Sequence, residues 1–518
     1  MGASETPTIQ TKTIVKGLVA GSVLVLLGVA LPFAFEALIG FILNKMMIID
    51  PSSLVYQEWQ NPSLPVYQRF YFFDLQNPDE VLKGGTPEVK EIGPYSYRLF
   101  LPKENISFNS NDTVTFLQKY RYVFDPSESV GSEHDVFTSA NIPMWSVVYM
   151  FRDAPKFLQV ILAGIIGSVG EEPFIQLSVR QFVWGYDEPL FKWLNEKFPD
   201  LGLPEEFSEE FGFLLGRNDT EFGEYTVFTG VENISSVNLV DKFNGLPELN
   251  HWTSDYANQI VGTDGMMYHQ DIKEDELLNL FHPDLCRSMP YTYVKDDELK
   301  GVPLKMFGIA PWAYQNSSVF PENEGFKVND RDSVPTGLMR VDPCRFGSPM
   351  AVSNPHFFEG DPSLLQQVKG LKPDAEKHRN SFSIEPTLGM PFKLRMRIQV
   401  NQYMEKNDII KQTGDVETMY MPVFWFENGV TATDILISYY DLGINLSGTI
   451  ATLLHAFCLC IGSTLLVVFL AMGLFRLIER RNSGSSMTKL ADDEAGERIE
   501  HDNLAYTKSK SDIEEERM

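Results

Sequence analysis

Cysteine, histidine and basic residues are all scarce in this chain. Among its 518 residues there are four cysteines, eight histidines, and 43 lysines and arginines against 70 aspartates and glutamates. The formal charge of −27 is spread widely, which argues against nucleic acid and broad anionic surfaces as partners. The histidines are scattered singly, so the sequence predicts neither a metal site nor a cofactor.

The common catalytic motifs are missing as well. The chain contains no Gly-x-Ser-x-Gly elbow, no His-Glu-x-x-His pair, no phosphate-binding glycine loop and no Cys-x-x-Cys. Each of these motifs places a nucleophile, a metal ligand, a phosphate or a redox thiol at a fixed position. Without them, the sequence predicts that the protein is not an enzyme.

What the chain does have is a long apolar segment near each end. The first covers residues 17–35 without an ionisable side chain and continues beyond Glu36, and the second covers about 449–474. A helix rises ~1.5 Å per residue and needs ~20 apolar residues to cross a bilayer, so both segments are long enough. No clear cleavage site follows the first, so we interpret it as an uncleaved anchor rather than a signal peptide.

Basic residues lie on the outer side of both apolar segments. Lys12 and Lys16 precede the first, and Arg476, Arg480 and Arg481 follow the second. The positive-inside bias therefore places both tails in the cytoplasm. The predicted organisation is a cytoplasmic tail (1–16), a transmembrane helix (17–40), an extracellular or lumenal ectodomain (41–448), a second transmembrane helix (449–475) and a cytoplasmic tail (476–518).

N-glycosylation motifs fit this topology. Six Asn-x-Ser/Thr sequons fall in the predicted ectodomain and none in the tails. We predict glycans at Asn105, Asn111, Asn218, Asn233, Asn316 and Asn445. The last of these lies closest to the membrane.

The four cysteines divide into two pairs. Cys458 and Cys460 lie in the second apolar segment, where packing as small apolar side chains is favoured over acylation. Cys286 and Cys344 remain for the ectodomain. In an oxidising compartment, one disulfide is favoured over two free buried thiols, and it would stabilise by roughly 4 kcal/mol.

Short β-type runs dominate the ectodomain. Residues 66–73, 114–123, 225–228 and 392–400 are such runs, and the turn signals are Gly84-Gly85, Asn244-Gly245 and Asn428-Gly429. Neither an internal repeat nor a low-complexity linker interrupts them. The sequence therefore predicts one mostly antiparallel β domain.

Helical patterns are fewer, at 154–170, 188–197 and 275–281. The first has a proline near its start and a glycine at its end, as helices prefer. From Leu158 its apolar run covers 13 residues, too short to span a bilayer. It is either a buried core helix or an exposed apolar one that receives a ligand.

Eight stretches together carry a family resemblance. They are Phe73-Asp74-Leu75-Gln76-Asn77-Pro78, Gly93-Pro94-Tyr95-Ser96-Tyr97-Arg98, Trp184-Gly185-Tyr186, Gly262-Thr263-Asp264-Gly265, Asp284-Leu285-Cys286-Arg287-Ser288, Lys369-Gly370-Leu371, Glu385-Pro386 with Gly389, and Arg397-Ile398-Gln399-Val400-Asn401. In order and spacing, the chain resembles the class B scavenger receptor family. That family includes the fatty-acid translocase, the high-density-lipoprotein receptor and the lysosomal integral membrane protein.

The resemblance implies a mixed α+β membrane protein. Its ectodomain would be an antiparallel β-barrel-like core with an apical helical bundle and an internal hydrophobic tunnel, attached to two transmembrane helices. Residues 158–169 fall where the apical helices would be. The ligand-binding residues implied there are Arg152, Lys156, Phe157, Leu158, Ile161, Leu162 and Ile165. Cys286 and Cys344 match two cysteines that are bridged in the family.

The chain also departs from the family pattern. Relatives carry further bridged cysteines in the region corresponding to 312–337, where this chain has none. The apical basic residues are few, because Arg152 and Lys156 are followed by Glu171-Glu172. Neutral lipids, fatty acids or a protein ligand therefore fit better than strongly anionic particles.

Two functions follow as expectations. The first is a receptor and transporter that captures lipids or lipoproteins and passes lipid through the tunnel to the membrane. The second is an endolysosomal trafficking or adhesion receptor with a protein ligand on the apical helices. The expected location is the plasma membrane, because the C-terminal tail lacks the dileucine signal of the lysosomal member. The endolysosomal membrane is the alternative, because residues 413–423 resemble that member. Gly2 fits a loose myristoylation pattern.

Overall fold

The computed structural model describes residues 10–197, 209–328, 334–345 and 347–515. The chain divides into two compact units. One contains both chain ends, Met1–Ile42 and Ser438–Met518, and the other is the ectodomain unit, Leu43–Ile437. Gly2 lies outside the described residues, so its myristoylation stays a prediction.

Helices occur at both chain ends and at intervals through the ectodomain unit. They are α1 (Thr11–Met47), α2 (Val55–Gln60), α3 (Pro78–Val81), α4 (Ile142–Met150), α5 (Lys156–Val169), α6 (Val179–Trp184), α7 (Pro189–Lys197), α8 (Asp255–Asn258), α9 (Pro362–Gln367), α10 (Ala375–His378), α11 (Asp434–Tyr440) and α12 (Leu446–Glu515). A π-helical turn, Asp441–Asn445, joins α11 to α12.

The two predicted membrane helices are confirmed. Mean hydropathy reaches 2.4 both in α1 and in the helical stretch Asp434–Asn482. In the most apolar stretch of each helix, only 11% and 6% of the residues are buried by other parts of the protein. Most of their side chains are therefore left to face lipid. The bilayer limits at 17–40 and 449–475 stay predictions.

Small residues allow α1 and α12 to approach each other closely. A Cβ atom added at Gly21 would lie 3.0 Å from the carbonyl oxygen of Gly462. Nearby, His455 Nδ1 lies 2.7 Å from the carbonyl oxygen of Gly28. Helices in lipid associate through such close packing and hydrogen bonds, because lipid tails are as apolar as the side chains.

Antiparallel β-structure makes up most of the ectodomain unit. The strands are β1 (Val66–Leu75), β2 (Val89–Phe100), β3 (Lys103–Phe108), β4 (Thr113–Phe124), β5 (Val136–Ala140), β6 (Phe174–Ser178), β7 (Tyr186–Asp187), β8 (Glu210–Phe211), β9 (Thr220–Phe228), β10 (Val240–Phe243), β11 (Leu278–His282), β12 (Arg287–Leu299), β13 (Val302–Ile309), β14 (Met339–Arg340), β15 (Met350–Ser353), β16 (Ser381–Glu385), β17 (Met390–Met404) and β18 (Met419–Thr431).

The main sheet has the order β10-β9-β4-β2-β1-β18-β17-β16-β13-β12-β11. Strand β3 adds to β4, β15 to β17 and β14 to β15, while β5–β6 and β7–β8 form separate pairs. The first and last strands of the chain path, β1 and β18, lie side by side at the centre, with Phe70 opposite Phe426.

The segment Gly262-Thr263 closes the gap between the two ends of this sheet. Thr263 forms single β-bridges with Leu239, next to β10, and with Leu280 of β11. The N–H of Phe281 donates to the Thr263 carbonyl oxygen at 2.9 Å. The sheet is therefore a nearly closed barrel, and closure protects strand edges that would otherwise pair with another chain.

Aromatic side chains fill the centre of the ectodomain unit. The Phe72 ring lies 4.5 Å from Phe137 and 5.3 Å from Phe182, measured between ring centres. The Phe424 ring lies 5.1 Å from Phe182. These contacts attach the β5–β6 pair and α6 to β1 and β18, which explains why the pattern of the central strands contains so many phenylalanines.

Two local predictions are wrong. Residues 275–281 were expected to be helical, but 278–282 form β11, whose Leu278 and Leu280 pair with β12 and are buried. A run this short does not distinguish a helix from a strand. Asn428-Gly429 is not a turn, because β18 continues through it with a neighbouring strand on each side. The other predicted runs correspond to β1, β4, β9, β17, α5 and α7.

Candidate ligand-binding site

Three helices, α4, α5 and α7, pack around a small core and are called here the three-helix cluster. The side chain of Asn141 begins α4 by accepting the N–H of Met144 at 3.0 Å. Gly170, with φ +77°, ends α5. The shared core contains Met144, Val147 and Val148 of α4, Leu162, Ile165 and Ile166 of α5, and Leu190, Phe191 and Leu194 of α7.

Helix α5 also carries an exposed apolar stripe. Phe157, Val160 and Ile161 are 63%, 60% and 49% exposed. Their spacing of three and four residues places them on one helical face, opposite the buried face. The helix is thus both a core helix and an exposed apolar surface, the two alternatives left open by its sequence.

The predicted ligand residues divide between these faces. Phe157 and Ile161 belong to the exposed stripe, and Leu158 is half-buried beside it. Leu162 and Ile165 do not reach the surface, because they lie on the opposite face in the core of the three-helix cluster. Val160 was not predicted, although its helical spacing from Phe157 would have indicated it.

The two predicted basic residues differ in their surroundings. The Arg152 guanidinium lies 3.9 Å from the centre of the Tyr149 ring and within 3.8 Å of the Glu405 carboxylate. Its side chain is therefore engaged within the protein. Lys156 is exposed at the start of α5. The stripe accordingly has little positive charge beside it.

A carboxyl pair lies where the three helices meet. Glu171 follows α5 and Glu188 precedes α7, and Glu188 is 1% exposed. The amide of Asn141 donates to Glu171 at 2.6 Å. Burial, and then the charge of Glu171, raises the pKa of Glu188 to about 8. At neutral pH the pair therefore holds a proton between its two carboxyl groups.

A cavity of about 240 Å³ lies among the strands of the main sheet. This is far more than the ~30 Å³ of one water molecule. Much of its wall is apolar and includes Leu99, Leu101, Met396, Ile398, Val400 and Phe426. Such a wall suits a hydrocarbon chain, which gains ~0.8 kcal/mol for each CH₂ removed from water.

Three charged side chains lie together in the cavity wall. Arg217 Nη1 is 2.7 Å and Arg345 Nη2 is 2.8 Å from the same Asp284 carboxylate oxygen. Burial alone would raise the pKa of Asp284, but the charges of Arg217 and Arg345 outweigh it and hold that pKa well below its usual range. Asp284 is therefore ionised and the three groups carry one net positive charge.

An amide pair supplies a second polar position in the wall. Gln68 of β1 and Asn428 of β18 are directly opposite each other in the sheet and both line the cavity. Among the described residues, neither Gln68 Oε1 nor Asn428 Oδ1 has a hydrogen-bond partner, although both atoms are buried. Buried acceptors without a donor are unfavourable, so this position suits a ligand hydroxyl or a water.

Glu91, His356 and His378 come together although they are far apart in sequence. His356 Nε2 and Trp425 Nε1 lie 2.6 Å and 2.7 Å from one oxygen of Glu91. The two imidazole rings stack with their centres 4.2 Å apart. Burial lowers the pKa of His378 to about 4, so this ring is neutral.

Hydrogen bonds explain why this cluster is not a good metal site. The Nδ1 atoms of His356 and His378 each accept a backbone N–H, from Lys372 at 3.0 Å and Asp374 at 2.9 Å. A neutral ring that accepts at Nδ1 carries its proton on Nε2, which then has no lone pair for a metal. His356 and Trp425 therefore hold Glu91 by hydrogen bonds, and His378 stacks on His356 beside them.

The predicted covalent sites occupy varied surroundings. Cys286 and Cys344 form a disulfide with Cα atoms 6.2 Å apart. Asn316 is half-buried and donates to the Val334 carbonyl oxygen at 2.8 Å, while Asn445 lies in the π-helical turn. The other four sequon asparagines are exposed: Asn105, Asn111, Asn218 and Asn233. Glycosylation at all six positions stays a prediction.

The fold and this site define a two-span membrane protein whose β-barrel ectodomain encloses a mainly apolar cavity. Residues 19–473 match the sequence model of the CD36 family. The chain belongs to the CD36 family.

Curated relatives agree with this assignment. Scavenger receptor class B member 1 of Rattus norvegicus is 38% identical over 423 residues, 82% of each chain, and that of Sus scrofa is 37% identical over 421 residues, 81% of each chain. Lysosome membrane protein 2 of Rattus norvegicus is 32% identical over 398 residues, 76% of this chain and 81% of the relative. The resemblance to class B scavenger receptors, a family of receptors, is confirmed.

Sequence reasoning missed the polar part of the site. Arg217 and Arg345 lie outside every motif that carried the resemblance, and Asp284 was noted only as the first residue of the motif around Cys286. One signal was present, because Asp284 and Arg345 each lie within two residues of a bridged cysteine. A disulfide brings its flanking residues together, which would have predicted that pair but not Arg217.

Proposed function

We propose that the protein is a receptor and transporter for lipids. The exposed stripe on α5 captures a lipid or a lipoprotein particle, and the cavity in the barrel shields the apolar chain of a lipid that is transferred to the membrane. The observation that carries this proposal is the apolar cavity of about 240 Å³ in the ectodomain. The plasma membrane is the proposed location, on the basis of the class B scavenger receptor relatives.

A direct test is to ask whether lipid occupies the cavity. Leu101→Trp combined with Leu394→Trp adds volume at two half-buried positions of the cavity wall. The matched control is Leu277→Trp, since Leu277 is 48% exposed and lies outside the wall. Lipids bound to the purified, glycosylated full-length protein are identified and counted by mass spectrometry.

We expect lipid at close to one equivalent in the wild type and the control, and at least a roughly tenfold loss in the double variant. A hydrophobic chain cannot share space with two indole rings in a close-packed wall. A folded wild-type protein without bound lipid would contradict the proposal, as would full retention of lipid in the double variant.

A protein ligand is the second candidate. Three large apolar side chains, Phe157, Val160 and Ile161, project from α5 at helical spacing, as in surfaces that dock another helix. A receptor of this kind would not use the cavity to bind its ligand. The similarity to lysosome membrane protein 2 favours an endolysosomal location for it. Substitutions in the stripe would then abolish binding, while the double tryptophan variant would bind normally.

A further inference from the structure

Arg287, the first residue of β12, carries a buried guanidinium without a carboxylate partner. The residue is 3% exposed. Among the described residues, its side chain donates one hydrogen bond, from Nη1 to the sulfur of Met339 at 2.7 Å, and its Nε is buried without an acceptor. Burial lowers the pKa of Arg287 to about 10, and no carboxylate in the described part of the chain opposes that effect. At neutral pH the guanidinium is therefore charged and has no counter-ion among these residues.

A neighbouring arginine provides a direct comparison. Arg340 is 4% exposed, and both arginines belong to the wall of one cavity of about 390 Å³. The Nε of Arg340 donates to the Asp342 carboxylate at 2.8 Å, so this guanidinium has its counter-ion within the protein. A buried charge is strongly unfavourable unless it is paired and hydrogen-bonded. Arg340 meets that condition and Arg287 does not.

One positive charge is left over in this wall among the described residues. The other charged side chains there are neutralised within two ion pairs, Arg340–Asp342 and Lys327–Glu324. Only the charge of Arg287 remains. A surplus of one charge suits a monovalent anion better than a divalent one, which would bring an unpaired charge of its own into the cavity.

Aromatic packing does not replace a counter-ion. The guanidinium carbon of Arg287 lies 3.6 Å from the centre of the Phe326 ring, and this contact stabilises the cation from one side. The ring carries no negative charge, however, and the thioether of Met339 is only a weak acceptor. Gln315 and Ser317 add an amide and a hydroxyl to the same wall, and both groups can donate hydrogen bonds to an anion.

Much of this wall comes from residues 311–327. The segment forms two 3₁₀ turns, Pro311–Tyr314 and Pro321–Phe326. It lies within the loop that the Cys286–Cys344 disulfide closes, but it has no cysteine of its own. An anion that binds both Arg287 and the donors of this segment would tie the segment to β12.

We propose that Arg287 is the centre of a binding site for a small monovalent inorganic anion, which ties residues 311–327 to β12. Chloride is the abundant anion of this class outside cells. The site is separate from the apolar cavity of the barrel, because the described walls of the two cavities share no residue. It therefore does not depend on lipid binding.

The test is the response of residues 311–327 to chloride. Hydrogen exchange is measured in the full-length, glycosylated protein in nanodiscs while chloride replaces sulfate at a constant ionic strength of about 0.15 M, so that charge screening is unchanged. We expect exchange of this segment to slow by roughly fivefold or more and to reach a plateau, because a bound ligand lowers the open population by the factor 1 + [L]/Kd.

The choice of sulfate separates this effect from a general salt effect. Sulfate strengthens apolar burial throughout a protein, so its removal should loosen the structure slightly rather than protect it. Peptides from β17 and β18 should therefore show unchanged or slightly faster exchange in chloride. Increased protection in chloride should be confined to residues 311–327 and the start of β12.

Two variants test the role of Arg287. Arg287→Met removes the charge and keeps an apolar stem beside Phe326, so it should abolish the response to chloride. In sulfate its segment should be at least as well protected as in the wild type, because an unpaired buried charge has been removed. Arg180→Gln is the matched control, since the Arg180 side chain is 59% exposed and pairs with Glu133 outside this wall. It should respond to chloride like the wild type.

A second measurement covers the case in which Arg287→Met does not fold. Bromide replaces chloride in many anion sites and scatters X-rays anomalously. Crystals of the wild-type full-length protein grown in bromide should show an anomalous peak beside the Arg287 guanidinium.

Three outcomes would overturn the anion site. The first is exchange of residues 311–327 that does not slow in chloride, or that only follows β17 and β18. The second is a full chloride response in a folded Arg287→Met variant, and the third is the absence of a bromide peak at Arg287. None of these outcomes bears on lipid binding in the apolar cavity, so the proposed function is tested separately.

Discussion

Replacing Gly262 by alanine should strongly lower the stability of the ectodomain unit and the yield of folded protein. A Cβ atom at this position would lie 2.1 Å from the carbonyl oxygen of Asn279, which no rotamer change can relieve because both atoms belong to the backbone framework. Gly262 also has φ +97°, where a side chain is strained. The expected destabilisation is on the order of 4 kcal/mol or more, a large part of the roughly 5–15 kcal/mol that keeps a typical domain folded.

The reason for so large an effect is the position of Gly262 in the barrel. Gly262-Thr263 supplies the only described β-bridges between the two ends of the main sheet. To admit a methyl group at normal packing distance, this segment would have to move by about 1 Å or more. That movement would break the pairing of Thr263 with Leu239 and Leu280. Both β10 and β11 would then become free edges open to aggregation.

A glycine with similar backbone geometry but open space provides the control. Gly245, in the turn after β10, has φ +76° and no atom within 4 Å of an added Cβ. Gly245→Ala should cost only about 1 kcal/mol, from backbone strain alone. Full-length variants are compared by thermal unfolding and by the fraction that acquires mature N-glycans in cells. Equal yield and stability of the two variants would show that closure at Gly262 is not required.

Much of the fold could be predicted because its signals are local or carried by motifs. The β-type runs at 66–73 and 114–123 and the proline and glycine limits of α5 each depend on neighbouring residues, and all three elements form. Asn428-Gly429 is the opposite case. Its local signal indicates a turn, but pairing of Gly429 with Tyr67 and Arg395 on either side keeps it in β18. Tertiary pairing is not visible in a local window.

Only the exposed residues of the candidate site could be predicted from the sequence. Phe157 and Ile161 follow from helical spacing along one segment. Arg217 and Asp284 are 67 residues apart, and Glu91 and His356 are 265 apart, so their contacts exist only after the barrel has formed. A buried polar cluster has no period or spacing in the sequence that would indicate its members. The same is true of the carboxyl pair at Glu171 and Glu188.

That carboxyl pair should make the three-helix cluster more stable in acid than at neutral pH. The pKa of Glu188 is raised from 4.5 to about 8 in the folded protein, by burial and then by Glu171. Between the pH values that equal these two pKa values, the protein therefore takes up a proton when it folds. The stability that the proton contributes is fully present below about pH 4.5 and is lost as the pH rises through about 8. One pKa unit corresponds to ~1.4 kcal/mol, so the change expected across this range is on the order of 5 kcal/mol.

Glu188→Gln should remove this dependence. The glutamine amide donates to Glu171 as the protonated carboxyl does, but it cannot ionise, so the pair never contains two negative charges. Wild type and variant should have equal stability at pH 5, and the variant should be more stable at pH 8. Because Glu171 and Glu188 lie at the ends of α5 and α7, the difference should appear first as local opening of these helices.

The measurement is hydrogen exchange of peptides from α4, α5 and α7 in the full-length protein, with variant and wild type compared at the same pH so that the intrinsic exchange rate cancels. Glu196→Gln, an exposed substitution on α7, is the matched control and should exchange like the wild type at both pH values. Peptides from β1 and β18 should not differ between the proteins. Wild type and Glu188→Gln could instead show equal protection of the three helices at pH 8. The carboxyl pair would then not hold a proton at neutral pH, and the stability of the three-helix cluster would not depend on pH.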